Sequence, residues 1–76
     1  MKTKVITILN EVRPEFDFSE DVNFIEQGML DSFDIVILVT RLEEAFATKI
    51  NGVDILAENF ASVDSIIKLL NKKGVK

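Results

Sequence analysis

The stretch from residue 28 to residue 46, Gly28-Met29-Leu30-Asp31-Ser32-Phe33-Asp34-Ile35-Val36-Ile37-Leu38-Val39-Thr40-Arg41-Leu42-Glu43-Glu44-Ala45-Phe46, decides the fold. From Asp31 onward it holds neither Gly nor Pro, and Ile35, Leu38, Val39, Leu42 and Phe46 recur at the spacing of one helical face. Asp31, Ser32 and Asp34 place capping oxygens and negative charge where a helix start leaves N–H groups unpaired; either Asp31 or Ser32 can serve as the N-cap. Ile35, Val36, Ile37, Val39 and Thr40 are β-branched and cost a few tenths of a kcal/mol each against Ala, so packing must hold this helix. Phe33, Val36 and Ile37 widen the apolar surface beyond one stripe, more than a small domain can bury, and are expected to face a partner.

Working outward, Pro14, Gly28 and the acids Glu15, Asp17, Glu20 and Asp21 make residues 14–31 a long connection. Phe16, Phe18, Phe24, Ile25 and Met29 require it to lie against the bundle. Before it, Val5, Ile8, Leu9 and Val12 predict a helix over residues 3–13, ended by Pro14, with a strand as the minor reading of its β-branched content. After the central helix, Asn51-Gly52 marks a turn, and Asp54 is expected to cap a short helix reaching Glu58, with Ile55, Leu56 and Phe60 plugging the core. Ser62 should cap a last helix with Val63, Ile66, Ile67 and Leu70 inside, Lys72 and Lys73 at its end and Gly74 beyond. The expectation is one all-α domain over residues 1–76: a four-helix bundle of three main helices and a short third one, with a long loop between helices one and two.

Inventory then narrows function. The 76 residues are 47% apolar and contain no Cys and no His, which excludes disulfides, Cys/His zinc sites, thiol nucleophiles and His-dependent triads. A net charge of −4 argues against nucleic acid as a partner. The apolar run Val5–Leu9 is cut off by Asn10, Glu11 and Arg13, and Ile35–Val39 is far too short to span a bilayer, so a cytoplasmic protein without a transmembrane segment is expected. A calcium loop begun at Asp17 fails, because Val22 falls where Gly is required and Gly28 where the bidentate Glu belongs. No Ser-x-x-Lys or Gly-x-Ser-x-Gly pattern is present, and so small a bundle offers no cleft for paired carboxylates; the chain is not expected to be an enzyme.

Gly28 to Phe46, with Asp31-Ser32 opening the helix and Phe33 following, resembles the modification site and second helix of acyl carrier proteins. The likeness extends to helix one, the aromatic-bearing loop, the short third helix and Glu58 to Ile66, nearly the whole chain. The resemblance implies a covalent 4′-phosphopantetheine, taken from coenzyme A and attached to Ser32, that holds an acyl or aminoacyl cargo as a thioester. It implies three partners: a phosphopantetheinyl transferase, a cargo-loading acyl- or aminoacyl-activating enzyme, and a downstream synthase or transferase. A serine at a helix start is also a physically apt place for a phosphate, beside free N–H groups and the positive dipole end.

On that resemblance Asp31 and Asp34 correspond to acids that meet basic patches on partners, although acids at a helix start need no partner. Phe33, Val36 and Ile37 are expected to contact partners, with core packing as the other reading. Glu43 and Glu44 fit a solvated face, and Ser19, Ser62 and Ser65 are a loop serine, a cap and a first-turn residue. Phe33 in place of the usual Leu, Ile37 in place of an acid, and Arg41 make the face less acidic than in carriers of fatty-acid synthesis, closer to D-alanyl, aminoacyl or other specialised carriers. The rival reading is a helical interaction module, homodimeric through Phe33, Val36 and Ile37, with Ser32 only a helix cap; a third is a carrier that has lost its modification and acts as a regulator.

Overall fold

The computed structural model describes residues 1–75. Three α-helices, α1 (Lys2–Val12), α2 (Ser32–Phe46) and α3 (Val63–Lys72), pack around one core, and two short 3-10 turns, Gly52–Asp54 and Ala57–Phe60, join α2 to α3. The bundle is therefore all-helical but stands on three helices, with 3-10 turns where the short third helix was expected.

α1 is a helix and not the alternative strand: Val5, Ile8 and Leu9 are buried on one face, a spacing that a period of two cannot produce. It stops at Val12 because Arg13 precedes Pro14 and is held outside the α region, at φ −134° and ψ 82°. α2 buries Ile35, Leu38, Val39 and Leu42, four of the five residues of the predicted stripe, and leaves Phe46 half-buried under the Lys4 ammonium, 5.0 Å from the ring centre.

The loop behaves as a plug. Phe18 and Phe24 are fully enclosed and meet edge to face at 4.9 Å, and Phe16 flanks Phe18 at 6.4 Å. Asn23 initiates one turn by accepting the Ile25 and Glu26 N–H groups on its side-chain oxygen, at 3.0 and 2.9 Å. Gly28 closes that turn at φ +71°, and the Phe24 carbonyl then accepts from Met29 and Leu30. The Phe24 N–H in turn reaches the Ala61 carbonyl at 2.7 Å, which fastens the loop to the entry of α3.

The return from α2 departs most from expectation. Ile55 and Leu56 do not plug the core but are partly exposed, at 38% and 47%; Phe60 and Ile50 fill it instead. A helix from Asp54 to Glu58 cannot form because Leu56 is extended, at φ −116° and ψ 142°. Asp54 ends the first 3-10 turn, and its carboxylate pairs with Lys73 near the end of α3, a hydrogen bond that holds the carboxyl below its ordinary pKa. Glu43, expected on a solvated face, is half-buried and accepts the Ile50 N–H at 2.9 Å, which anchors the return strand of chain. α3 follows expectation, with Ser62 capping the Ser65 N–H at 3.1 Å. It ends in a Schellman motif, Gly74 at φ +86° with its N–H on the Asn71 carbonyl and the Val75 N–H on that of Leu70.

Candidate functional site

The start of α2 is built from both sides. Asp31 is the N-cap, and its carboxylate accepts the Asp34 N–H at 2.9 Å; the Asp34 carboxylate returns the bond by accepting the Asp31 N–H at 3.1 Å. This is a capping box with Asp in the role usually taken by Glu or Gln. The open choice between Asp31 and Ser32 is thus settled: Ser32 is the first helical residue and not the cap, and the reading of Ser32 as only a helix cap is corrected. The physical reason is reach, since the cap oxygen must come back to the third helical N–H, and Asp31 occupies that position.

Relieved of capping, Ser32 is exposed, and its hydroxyl makes no hydrogen bond among the described residues. It sits where the helix dipole is positive, directly after a loop whose Leu30 is 2% exposed and pinned to Phe24. The hydroxyl is therefore accessible while its backbone is fixed. The start of α2 fits a covalently attached phosphate: a free acceptor hydroxyl, a rigid origin and the favourable end of a dipole.

The five neighbours expected to meet partners separate by burial. Phe33 and Val36 are 73% and 60% exposed, an unusual degree for large apolar side chains, and Ile37 is half-buried next to them. Asp31 is exposed, and its carboxyl is held below the ordinary value chiefly by the Asp34 N–H. Asp34 is only 6% exposed, and its Oδ2 also takes the Arg13 guanidinium at 2.8 Å. Its charge is thus engaged inside the protein. Along the other side of Val36 and Ile37 runs an open groove of about 670 Å³ between α1 and α2, bordered by Ile8, Thr40 and the Glu11–Arg41 ion pair.

Arg13 is the residue that sequence reading missed. It lies at the end of α1, 21 positions from Asp34, donates from Nε to Glu15 at 3.0 Å and stacks over Phe16 at 5.2 Å. Its position before Pro14, among acids on both sides, is the signal that could have found it. Among the described residues no group of acids is placed to hold a metal ion, and no helix is long and apolar enough to cross a membrane.

Because Asp31 is the cap, Asp31→Ala should lower Tm by about 4–8 °C, the effect of a lost N-cap in a domain of this size. The loss should shrink in acid: a depressed folded pKa gives stability that is complete above the ordinary carboxylate range and disappears as pH falls through the lowered value. Thermal melts of both proteins between pH 7 and pH 2.5 check this.

Residues 2–70 match the family model described as phosphopantetheine attachment site. No curated protein and no solved structure gives a significant match to the chain.

Proposed function

Since the chain belongs to the phosphopantetheine attachment family, whose prosthetic group is covalently bound 4′-phosphopantetheine, we propose that Ser32 is the residue that carries the arm and that the protein is a specialised or aminoacyl carrier. The observation that carries the assignment of Ser32 is its release from capping: the hydroxyl is exposed and unbonded at the first position of α2, while Asp31 does the structural work. In the attachment step the Ser32 hydroxyl gives its proton to a base of the transferase, and its Oγ forms a bond to the phosphorus nearest pantetheine in coenzyme A. The pyrophosphate P–O bond breaks and adenosine 3′,5′-bisphosphate leaves. The arm supplies the one thiol available to a chain with no Cys, for a thioester to an acyl or aminoacyl cargo. Held on that tether, cargo meets each partner at high effective concentration, so brief docking suffices.

The docking face supports the specialised reading. Acids that would address basic partners are few here, because Asp34 is buried against Arg13 and Arg41 adds positive charge lower on α2. What α2 offers instead is Phe33 and Val36, with Asp31 at the edge. Partners of stated kind are a phosphopantetheinyl transferase, an acyl- or aminoacyl-activating enzyme and a downstream synthase or transferase.

Incubation with coenzyme A, Mg²⁺ and a broad-specificity phosphopantetheinyl transferase, followed by intact-mass measurement, should add one phosphopantetheine group; an unchanged mass would overturn the carrier reading. Loading of that holo protein by aminoacyl-activating rather than fatty-acyl-activating enzymes tests the cargo class. Phe33→Asp should fold like the parent, since the side chain is largely exposed, and slow loading by about 10-fold or more. Equal loading rates for the two proteins would remove Phe33 from the docking face.

A further inference from the structure

Ser32 heads a row of exposed side chains. Val36, Thr40 and Glu44 follow it at intervals of four residues, which puts all four on one ridge of α2. The last three line the groove of about 670 Å³ between α1 and α2. Ile8 from α1 and Ile37 and Ala45 from α2 line it too, so both helices give it apolar surface. Its charged residues are Glu11, Arg41 and Glu44. Glu11 and Arg41 pair at 3.5 Å, and Glu44 enters no ion pair among the described residues, so acids outnumber the base. What fills such a groove is set by what Ser32 carries. A pantetheine arm has about fourteen bonds from Oγ to its sulfur, a reach of roughly 16 Å at the extension of a polypeptide chain. The groove runs along α2 from Val36 to Ala45, and at the helical rise these lie about 6 Å and 20 Å from Ser32. The thioester end of the arm therefore reaches most of its length.

Resting on the assignment of the arm to Ser32, we propose that this groove is the resting site of the arm's cargo, and that it takes apolar groups, acyl or α-aminoacyl, and turns away those that end in a carboxylate. An apolar chain gains by covering Ile8, Val36 and Ile37. An α-ammonium suits a rim where acids outnumber the base, whereas a carboxylate would lose water against apolar surface and meet Glu44. Little affinity is needed, because a tethered group is present at millimolar effective concentration and half fills a site with a Kd of about 1 mM. Val36 belongs both to this groove and to the docking face, so resting cargo and a docked partner exclude each other there.

Transfer from isocaproyl-, leucyl- and malonyl-coenzyme A by the broad-specificity transferase gives three loaded forms of the full chain, verified by mass. Isocaproyl is leucyl without its amine, and malonyl ends in a carboxylate. Amide proton–nitrogen NMR spectra of each are compared with the unacylated holo protein. Isocaproyl and leucyl should shift the signals of Ile8, Thr40 and Ala45 about 3-fold or more further than malonyl does. Ile8 is the informative residue, since it belongs to α1 and not to the helix that bears the arm. Thr40→Trp, at an exposed position of α2, should fold like the parent, fill the groove and remove the shifts at Ile8 and Ala45. The isocaproyl thioester should then hydrolyse about 2-fold faster, the factor that a half-filled shielding site allows. Shifts confined to residues beside Ser32, or equal for all three cargoes, overturn the site, as do shifts at Ile8 that persist in Thr40→Trp. Shifts from isocaproyl without any from leucyl overturn its aminoacyl half. If Thr40→Trp does not fold, the three cargoes on the parent protein still decide. Failure of the parent to gain mass from any of the three would instead strike the attachment to Ser32 on which the proposal rests.

Discussion

Ser32→Ala should abolish the mass gain from coenzyme A completely while leaving Tm within about 2 °C of the parent. The two halves of this result rest on different features of one helix start. The chemical half needs only that Oγ is the acceptor: Ala has no oxygen to form the phosphodiester, and Ser19, Ser62 and Ser65 are poor substitutes. Ser19 donates to Asp17, Ser62 caps α3, and Ser65 is bonded to Ser62 through both its N–H and its hydroxyl position. The structural half needs Ser32 to be dispensable for folding, which follows from the capping box between Asp31 and Asp34 and from the absence of any bond to Ser32 Oγ among the described residues. Exposed substitutions of this kind are usually within about 0.5 kcal/mol of neutral. A cap serine would give the reverse pattern, a clear fall in Tm. Undiminished mass gain in Ser32→Ala would place the arm on another hydroxyl, and a fall in Tm as large as that of Asp31→Ala would return Ser32 to capping.

How far this was legible in the sequence depended on whether the deciding interaction was local. α2 and α3 could be read because their stripes, caps and terminal Gly74 lie within a few residues of one another. Ser32 could be singled out for the same reason, as a serine beside an Asp at the start of a Gly-free and Pro-free run. What resisted reading depended on distant partners. The segment after Asn51 looked helical from Asp54 onward, but the Asp54 carboxylate goes to Lys73 and its carbonyl to the Asn59 side chain at 2.8 Å, so two short 3-10 turns replace a helix. Ile50 carries no periodic signal at all; it is buried because Glu43, seven positions back, holds its N–H. Asp34 looked like an acid for a partner because nothing nearby in sequence shows that Arg13 comes across from α1. Each of these involves one side chain meeting one group from another element, which no spacing rule encodes.

The loop before the helix start carries the second large expected effect: Phe24→Ala should remove about 3–5 kcal/mol, a large share of the domain's stability at 25 °C. Phe24 is 1% exposed, so truncation loses the transfer free energy of a whole ring and leaves a cavity, about 3–5 kcal/mol in all. Total stability for a chain of this length is roughly 4–11 kcal/mol, and there is no disulfide to limit the unfolded ensemble. The position also governs more than its own volume. The ring packs edge to face on Phe18, the backbone N–H reaches Ala61 at the entry of α3, and the carbonyl accepts from Met29 and Leu30, the residues that lead into Asp31. Loss of the ring therefore loosens the loop and the platform under Ser32 together. Phe16→Ala is the internal control: that ring is only half-buried, at the edge of the same aromatic cluster, and its loss should cost clearly less. Urea melts followed by far-UV circular dichroism read both variants, and limited proteolysis should cut Phe24→Ala first between residues 14 and 31. A Phe24→Ala protein that unfolds at nearly the parent's urea concentration would mean that the loop is held by its backbone bonds, with the aromatic pair contributing little.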